Sequence, residues 1–268
     1  MIDIESMVDA TVQEGYNRQN AEAKVCQDII LKAISEGSLK RNVTIKGGVV
    51  MRSITGDARR ATQDMDLDFI RYSLNEDAIR RFIEELNSIE GVNIAVVGDI
   101  EELSQQEYRG KRVFIRISDQ NGYELSSKID LGVHANHDIK QDNYCFDVCM
   151  DDEGASLLIN SKEQIFAEKL RSLMRFGPLS TRYKDIFDMY YLADTLDTDR
   201  LKEYIRAYIL DEDGMREKEM DDIATRMERT FHNRTYRNRI QGALQANWID
   251  AHIDQVFDRL LGIIKGIY

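Results

Sequence analysis

The chain has 268 residues, 48 acidic and 36 basic, so its formal net charge is −12 at pH 7. This charge argues against non-specific nucleic-acid binding over the whole surface, although a local basic patch remains compatible with it. One proline and 43% apolar residues are typical of a folded globular protein. The sequence has no apolar run long enough to span a membrane, its start does not resemble a signal peptide, and its three scattered cysteines suit a reducing compartment. We therefore expect a cytoplasmic protein.

The first elements in chain order are a helix, a strand, a glycine turn and a second helix. Apolar residues at three-and-four spacing predict a leading helix within residues 1–37. A short β-prone run over residues 43–46 is stopped by Gly47 and Gly48, and residues 49–54 then predict a helix.

The next segment, residues 64–69, alternates acidic and apolar residues. As a strand it would place Asp64, Asp66 and Asp68 on one face and three apolar side chains on the other. Asn75 is suited to cap a helix that ends near Gly91. Further strands are predicted by the runs at 92–97, 112–118 and 123–133, and a weaker run at 144–150 is either a strand or a loop.

From Ser161 onward the sequence is helical in character. Ser161 and Gln164 have the spacing of a capping box, which opens a helix that Gly177 and Pro178 end. Apolar periodicity predicts further helices over residues 181–196, 199–210, 215–231 and 248–267. The sequence therefore predicts an α+β domain over residues 1–158 and an all-helical domain over residues 159–268.

The three alternating aspartates are the main candidates for chemistry. Like charges on one strand face repel each other, so a divalent cation or solvent must compensate them. Mg²⁺ suits such a pair, because it binds one or two carboxylates together with water and phosphate oxygens. A solvated edge strand explains the same pattern equally well. A calcium loop does not, since Phe69 and Asn75 stand where that loop requires glycine and glutamate.

The glycine pair upstream adds a second feature. Gly47 and Gly48 lie between a strand and a helix, where free backbone amides can approach phosphate oxygens closely. A glycine pair alone is weak evidence, because turn glycines are common. A phosphate cradle and a carboxylate pair within one β-α-β segment together favour phosphoryl or nucleotidyl transfer.

Four segments, in this order, resemble the signature regions of the AbiEii/AbiGii-toxin nucleotidyltransferases, a branch of the DNA polymerase β-like superfamily: IKGGVVMRSITGDARRATQDMDLDF, KIDLGV, EQIFAEKLRSLMRFG and TRYKDIFDMYYL. The resemblance implies a polymerase-β-like mixed sheet with flanking helices, followed by an all-helical C-terminal domain that closes over the nucleotide. It also implies Mg²⁺ or Mn²⁺ as cofactor and an NTP as substrate. Members that act as toxins modify RNA, with the tRNA 3′ end as the leading acceptor, and are countered by an antitoxin.

The resemblance also implies roles for individual residues of the first domain. Gly47 and Gly48 match the glycine pair that contacts the nucleotide. Arg60 begins the Arg-x-Thr-x-Asp-x-Asp pattern, in which the two acids are metal ligands. These ligands are Asp64 and Asp66 in that alignment, although a register shift to Asp66 and Asp68 stays open. Asp130 matches a third acid, which would complete the shell of a second metal and help to deprotonate the acceptor hydroxyl.

In the second domain the resemblance implies that Lys169 contacts the nucleotide, with Asp185 catalytic and Asp188 nucleotide-binding. Helical periodicity independently places the stem of Lys169 on an apolar face, where its ammonium needs an anion or a route to water. For Asp188, a surface ion pair with Lys184 four residues before it is an equally simple interpretation.

A group of arginines could provide the local basic patch on this acidic chain. With the aromatic residues among them they could contact RNA, or they could balance the acidic run at residues 211–222. The group comprises Arg226, Arg229, Arg234, Arg237 and Arg239, together with Phe231 and Tyr236.

We predict a metal-dependent nucleotidyltransferase that joins a nucleotidyl group to an acceptor hydroxyl, with RNA as the expected acceptor. Two alternatives stay open at this stage. A metal-dependent phosphohydrolase or nuclease would use the same carboxylates with water as the nucleophile. A catalytically silent interaction module would bind no nucleotide.

Overall fold

A computed structural model describes residues 2–103, 110–134 and 140–267, which form two compact units, Met1–Asn160 and Ser161–Tyr268. Within these described ranges, the first unit holds an eight-stranded mixed sheet and four α-helices, and the second unit holds six α-helices. The predicted class, a mixed sheet with flanking helices followed by helices alone, is confirmed.

The helices of the first unit lie mostly before β2. They are α1 (Ile4–Gln13), α2 (Arg18–Glu36), α3 (Gly47–Thr55) and α4 (Glu76–Glu85). The prediction of one leading helix was wrong. Gly15 has a φ of +103°, which ends α1, and the Asn17 side chain accepts a hydrogen bond from the Asn20 backbone N–H, which starts α2.

The strands of the sheet are β1 (Val43–Lys46), β2 (Met65–Phe69), β3 (Val92–Val96), β4 (Glu101–Leu103), β5 (Gly110–Asp119), β6 (Glu124–Val133), β7 (Asp142–Val148) and β8 (Asp151–Ile159). Their order is β3-β5-β6-β2-β1-β8-β7, and β4 pairs with the first residues of β5, whereas β3 pairs with its last residues. The β1–β8 and β2–β6 pairs are parallel, and the other pairs are antiparallel.

The alternation of side chains along the central strands fixes which face of the sheet is apolar. Ile45, Leu67 and Leu131 stand opposite one another on β1, β2 and β6, and all three are fully buried. Because successive side chains point to opposite faces, their neighbours along each strand lie on the other face. Those neighbours include Asp66 and Asp130, so the core packing of the sheet also determines the position of the acids.

The second unit contains α5 (Lys162–Phe176), α6 (Tyr183–Leu192), α7 (Thr198–Ile205), α8 (Met220–His232), α9 (Arg234–Gly242) and α10 (Ile253–Gly266). Ser161 caps α5 through the backbone N–H of Gln164, as its sequence pattern predicts. Within the ranges that the structure describes, no helix is long and apolar enough to cross a membrane.

Two strands and one helix were not predicted. The weak run at 144–150 belongs to β7, which pairs with an unpredicted strand, β8. Strand β8 begins with Asp151-Asp152-Glu153 and contains Gly154 at a φ of +71°, so its start does not resemble a strand. Strand β4 and helix α9 were also missed, because each is short and polar.

Candidate active site

Four charged side chains lie in one line across the polar face of the central sheet. Asp66 on β2 stands opposite Lys46 on β1 and opposite Asp130 on β6, and Asp130 in turn stands opposite Arg112 on β5. All four are half-buried. We call Lys46, Asp66, Asp130 and Arg112 the acid row. It brings together two predicted site residues, and two cations that the sequence analysis did not select.

The glycine pair lies directly beside the acid row. Gly47 begins α3 with a φ of +65°, and a Cβ there would lie 2.6 Å from Oδ2 of Asp66. A Cβ on Gly48 would lie 2.5 Å from the hydroxyl oxygen of Thr62. Both distances are shorter than ordinary Cβ contacts, so a larger residue at either position would force the Asp66 or Thr62 side chain to shift.

Asp68 lies on the same face as Asp66, and its carboxylate is nearly buried. Lys46 Nζ lies 2.7 Å from its Oδ1. A Cβ on Gly132 would lie 2.2 Å from the same oxygen, so the glycine of the KIDLGV segment leaves the space that this carboxylate occupies. Since Asp68 is neutralised by Lys46 and covered, the register shift to an Asp66 and Asp68 metal pair is disfavoured.

Asp64 differs from the other two acids. The strand predicted over 64–69 begins at Met65, so Asp64 precedes β2, and its side chain is 56% exposed. Its carboxylate lies 2.8 Å from Lys128 Nζ on β6. An exposed ion pair of this kind is weak and exchanges readily with solvent or another cation.

Asp130 is held much more firmly. Arg112 donates from Nε to one carboxylate oxygen at 2.7 Å and from Nη2 to the other at 2.8 Å. This bidentate contact, with smaller contributions from nearby Asp64 and Glu101, raises the pKa of the Arg112 guanidinium above its usual value. Both oxygens of the third predicted metal ligand are therefore engaged by a cation of the chain.

The carboxylates suit one divalent ion that also binds substrate and water better than an ion enclosed by protein ligands alone. Among the residues that the structure describes, no three His, Cys, Asp or Glu side chains are arranged to hold a metal ion together. Asp64 and Asp66 carry carboxylates, and Asp66 lies beside Gly47 at the start of α3. Mg²⁺ needs only one or two carboxylates when phosphate oxygens and water complete its octahedron. Arg60, two residues before Thr62, is buried in the 3₁₀ turn Ala58–Arg60.

The second unit has its own charged centre, which we call the buried lysine cluster: Lys169, Asp185, Asp188 and Trp248. Lys169 Nζ lies 2.5 Å from Asp185 and 2.8 Å from Asp188, and all three side chains are buried. The interpretation of Asp188 as a surface ion pair was wrong, because its carboxylate is fully buried. The ammonium does not snorkel either, since the anion it needs is supplied by α6 of the same unit.

Two further contacts complete the cluster. The indole N–H of Trp248 donates to Asp188 at 3.1 Å, and Arg182 Nε donates to Asp185 at 2.7 Å. Burial alone would raise the pKa of Asp185, but Lys169 and Arg182 outweigh burial and hold that pKa below its usual range. Asp185 is therefore a carboxylate whose charge the fold preserves.

The sequence held a signal for one of the missed residues. Asn121-Gly122 is a hairpin turn dipeptide, and the observed β5–β6 register, Ser118 opposite Glu124, runs back from it to Arg112 opposite Asp130. Counting along this hairpin could have identified Arg112. Trp248 had no such signal, because 60 residues separate it from Asp188.

The members of the arginine group differ in burial and in ion pairing. Phe231 and Tyr236 are buried, so the expectation that they could stack on bases was wrong. Arg237 is paired with Asp254 and lies over the ring of Phe257. The exposed members, for which no side-chain partner is found among the described residues, are Arg229, Arg234 and Arg239.

Comparison with known proteins places the chain in a family. No functionally curated protein matches it. The structural search returned an antigenic nucleotidyltransferase-like protein from Paracoccidioides brasiliensis, at 14% sequence identity and a TM-score of 0.47, covering 82% of this chain and 92% of that chain. The family model of the nucleotidyl transferase AbiEii toxin of type IV toxin–antitoxin systems matches residues 29–259, which include both the acid row and the buried lysine cluster. The chain therefore belongs to the AbiEii toxin family of nucleotidyltransferases.

Proposed function

We propose that this nucleotidyltransferase transfers a nucleotidyl group from an NTP to a hydroxyl of RNA, with the tRNA 3′ end as the leading acceptor, in the presence of Mg²⁺ or Mn²⁺. The observation that carries the proposal is the position of Asp66. Its carboxylate lies beside Gly47 at the start of α3, and the residue stands in register with Asp130. A metal and a triphosphate need acids and phosphate-binding amides within one small region.

In this proposal Asp64 and Asp66 hold the divalent ion, and the amides of Gly47 and Gly48 bind and orient the phosphates. When bound, the ion neutralises charge on the triphosphate and polarises the α-phosphate. The acceptor oxygen forms a bond to the α-phosphorus while the bond to pyrophosphate breaks, so the hydroxyl proton must be taken up. Asp130 is suited to accept this proton, because each oxygen engaged by Arg112 retains a second lone pair.

The remaining site residues keep the roles that the sequence resemblance implies. Lys169 would contact the nucleotide, with Asp185 and Asp188 fixing its ammonium through the contacts described above. Arg60 would contribute to nucleotide binding from its buried turn. The exposed residues Arg229 and Arg234 are suited to phosphates of an RNA acceptor, since they carry positive charge on an otherwise acidic chain.

The proposal is tested by incubating the protein with total RNA, Mg²⁺ or Mn²⁺, and each NTP labelled in turn at the α- or the γ-phosphate. Label from the α-phosphate should enter a tRNA-sized band, and label from the γ-phosphate should not. Shortening of end-labelled RNA would instead support a nuclease. Label on the protein itself would contradict RNA as the acceptor.

The family also predicts toxicity and an antitoxin partner. Expression of the chain alone in a bacterial host should arrest growth, and the Asp64→Ala variant should not, because it loses a proposed metal ligand. Equal arrest by both proteins would point to a cause other than catalysis. Co-expression with a candidate antitoxin should restore growth.

A further inference from the structure

The acids of the central sheet are not equally available to a metal ion. Asp64 and Asp68 are each paired with one lysine ammonium, at 2.8 and 2.7 Å. Asp130 is paired with a guanidinium, which donates from two nitrogens to two different oxygens. A divalent ion that used Asp130 would have to bind beside this guanidinium, against its positive charge, or displace its hydrogen bonds.

The guanidinium of arginine also differs from the ammonium of lysine in how it binds a carboxylate. The guanidinium is planar, stays charged at all relevant pH values and can donate two hydrogen bonds to the two oxygens of one carboxylate. Lysine is a point charge on a flexible stem, and it can move aside without losing a second contact. Asp130 is therefore less able than Asp64 or Asp68 to exchange its partner for a metal ion.

The position of Arg112 is equally specific. It lies on β5 directly opposite Asp130, which itself stands opposite Asp66, so a fixed positive charge lies two strands away from the proposed metal ligand. A preorganised cation at such a place can stabilise negative charge on a phosphate without being recruited from solution.

We infer that Arg112 takes the place of a second divalent cation in this enzyme. The site then holds a single ion through Asp64 and Asp66, and Asp130 is a partner of Arg112 and not a metal ligand. This inference rests on the proposed function, because it presumes a metal at Asp66. It agrees with the absence of any three-residue metal cluster within the described ranges.

The test counts Mn²⁺ ions bound to the full chain, from the electron paramagnetic resonance signal of free Mn²⁺ during a titration without nucleotide. The wild-type protein should bind one ion. Arg112→Gln should bind two, because Asp130 is released beside Asp66. Arg116→Gln is the matched control, since Arg116 lies on the same strand and pairs with Glu124 on β6, and it should bind one ion.

A second variant keeps the test decisive if Arg112→Gln fails to fold. Asp130→Asn preserves shape, and it should still bind one ion with unchanged affinity. Two ions on the wild-type chain, one ion on a folded Arg112→Gln variant, or weakened binding in Asp130→Asn would each overturn the inference.

The fate of the proposed function is read separately, from Asp66→Asn. If this variant loses the ion and the transfer activity while the wild-type chain binds two ions, only the inference about Arg112 fails. If the wild-type chain binds no Mn²⁺, or Asp66→Asn retains both ion and transfer, the metal assignment of the proposed function fails as well.

Discussion

The acid row and the buried lysine cluster contain the same kinds of charged side chain but differ in how far those side chains are exposed to solvent. In the acid row the carboxylates of Asp66 and Asp130 are half-buried, at one face of a sheet. In the buried lysine cluster Asp188 is fully buried and receives hydrogen bonds from Lys169 and Trp248. Charges that reach solvent can exchange partners at modest cost, whereas a buried pair is costly to break.

This difference separates two requirements of a transferase site. A metal and a triphosphate must enter and leave, which suits the more exposed carboxylates of the sheet. The lysine that we propose to contact the nucleotide would have to keep its position and its charge, and burial beside two aspartates suits that requirement. The comparison predicts that equivalent substitutions will act mainly on binding and catalysis in the acid row, and mainly on stability in the buried lysine cluster.

The largest stability effect is expected for Lys169→Met. This change would leave Asp185 and Asp188 buried without their shared cation. Removing one partner of a buried pair costs about 3–5 kcal/mol. Urea unfolding followed by Trp248 fluorescence measures this loss.

The matched control for that experiment is Lys202→Met, an exposed lysine on α7 of the same unit. Exposed substitutions typically change stability by less than about 0.5 kcal/mol. Equal unfolding free energies for Lys169→Met and Lys202→Met would show that the cluster does not stabilise the fold.

A smaller effect, beside the acid row, is expected for Gly47→Ala. Both Gly47 and Gly56 have positive φ, so an alanine at either position costs roughly 1–2 kcal/mol of backbone strain. Only at Gly47 does the new Cβ also meet Asp66. Gly47→Ala should therefore lose Mn²⁺ affinity as well as stability, whereas Gly56→Ala should lose stability alone.

Thermal melts and Mn²⁺ titrations of these two glycine variants distinguish the effect of backbone strain from the effect of displacing the Asp66 carboxylate. The same loss of Mn²⁺ affinity in both would mean that the contact between Gly47 and Asp66 has no part in metal binding.

The smallest effect concerns acid stability. The pKa of Asp185 in the folded unit lies below its unfolded value of about 3.9. Its ion pairs therefore stabilise the fold above that unfolded value, and the contribution is lost as the pH falls through the folded pKa. The stability advantage of the wild-type chain over Asp185→Asn should shrink below about pH 4.

Denaturant unfolding at several pH values from 7 downward checks this expectation, with the exposed Asp213→Asn as control. A constant difference between wild type and Asp185→Asn at all pH values would contradict the assignment of Asp185 as an acid-sensitive stabilising charge.

Local patterns in the sequence were enough to predict the elements that carry most of the acid row. The alternation around Asp66 predicted β2, and the glycine pair predicted the start of α3, because both signals lie within a few residues. The strand β8 was missed, since its pairing with β1 joins Thr44 to Leu158 and depends on distant parts of the chain.

The partners of the predicted residues were harder to find than the residues themselves. Periodicity indicated that the Lys169 ammonium needed an anion or a route to water. The pairing with Asp185 arises from packing of α5 against α6, which no local pattern specifies. Arg112 was accessible through the hairpin register, as described above. The chemical character of each site was therefore predictable, and its charge balance was not.

The central claim is that Asp66 holds the metal for nucleotidyl transfer, and it is tested by comparing transfer rates of wild type, Asp66→Asn and Asp152→Asn. Asp152 is exposed on β8 of the same sheet, so its change controls for the loss of one negative charge. We expect Asp66→Asn to abolish incorporation of α-labelled NTP while its melting temperature without metal stays level or rises, and Asp152→Asn to retain the wild-type rate. A wild-type rate in Asp66→Asn would contradict the claim.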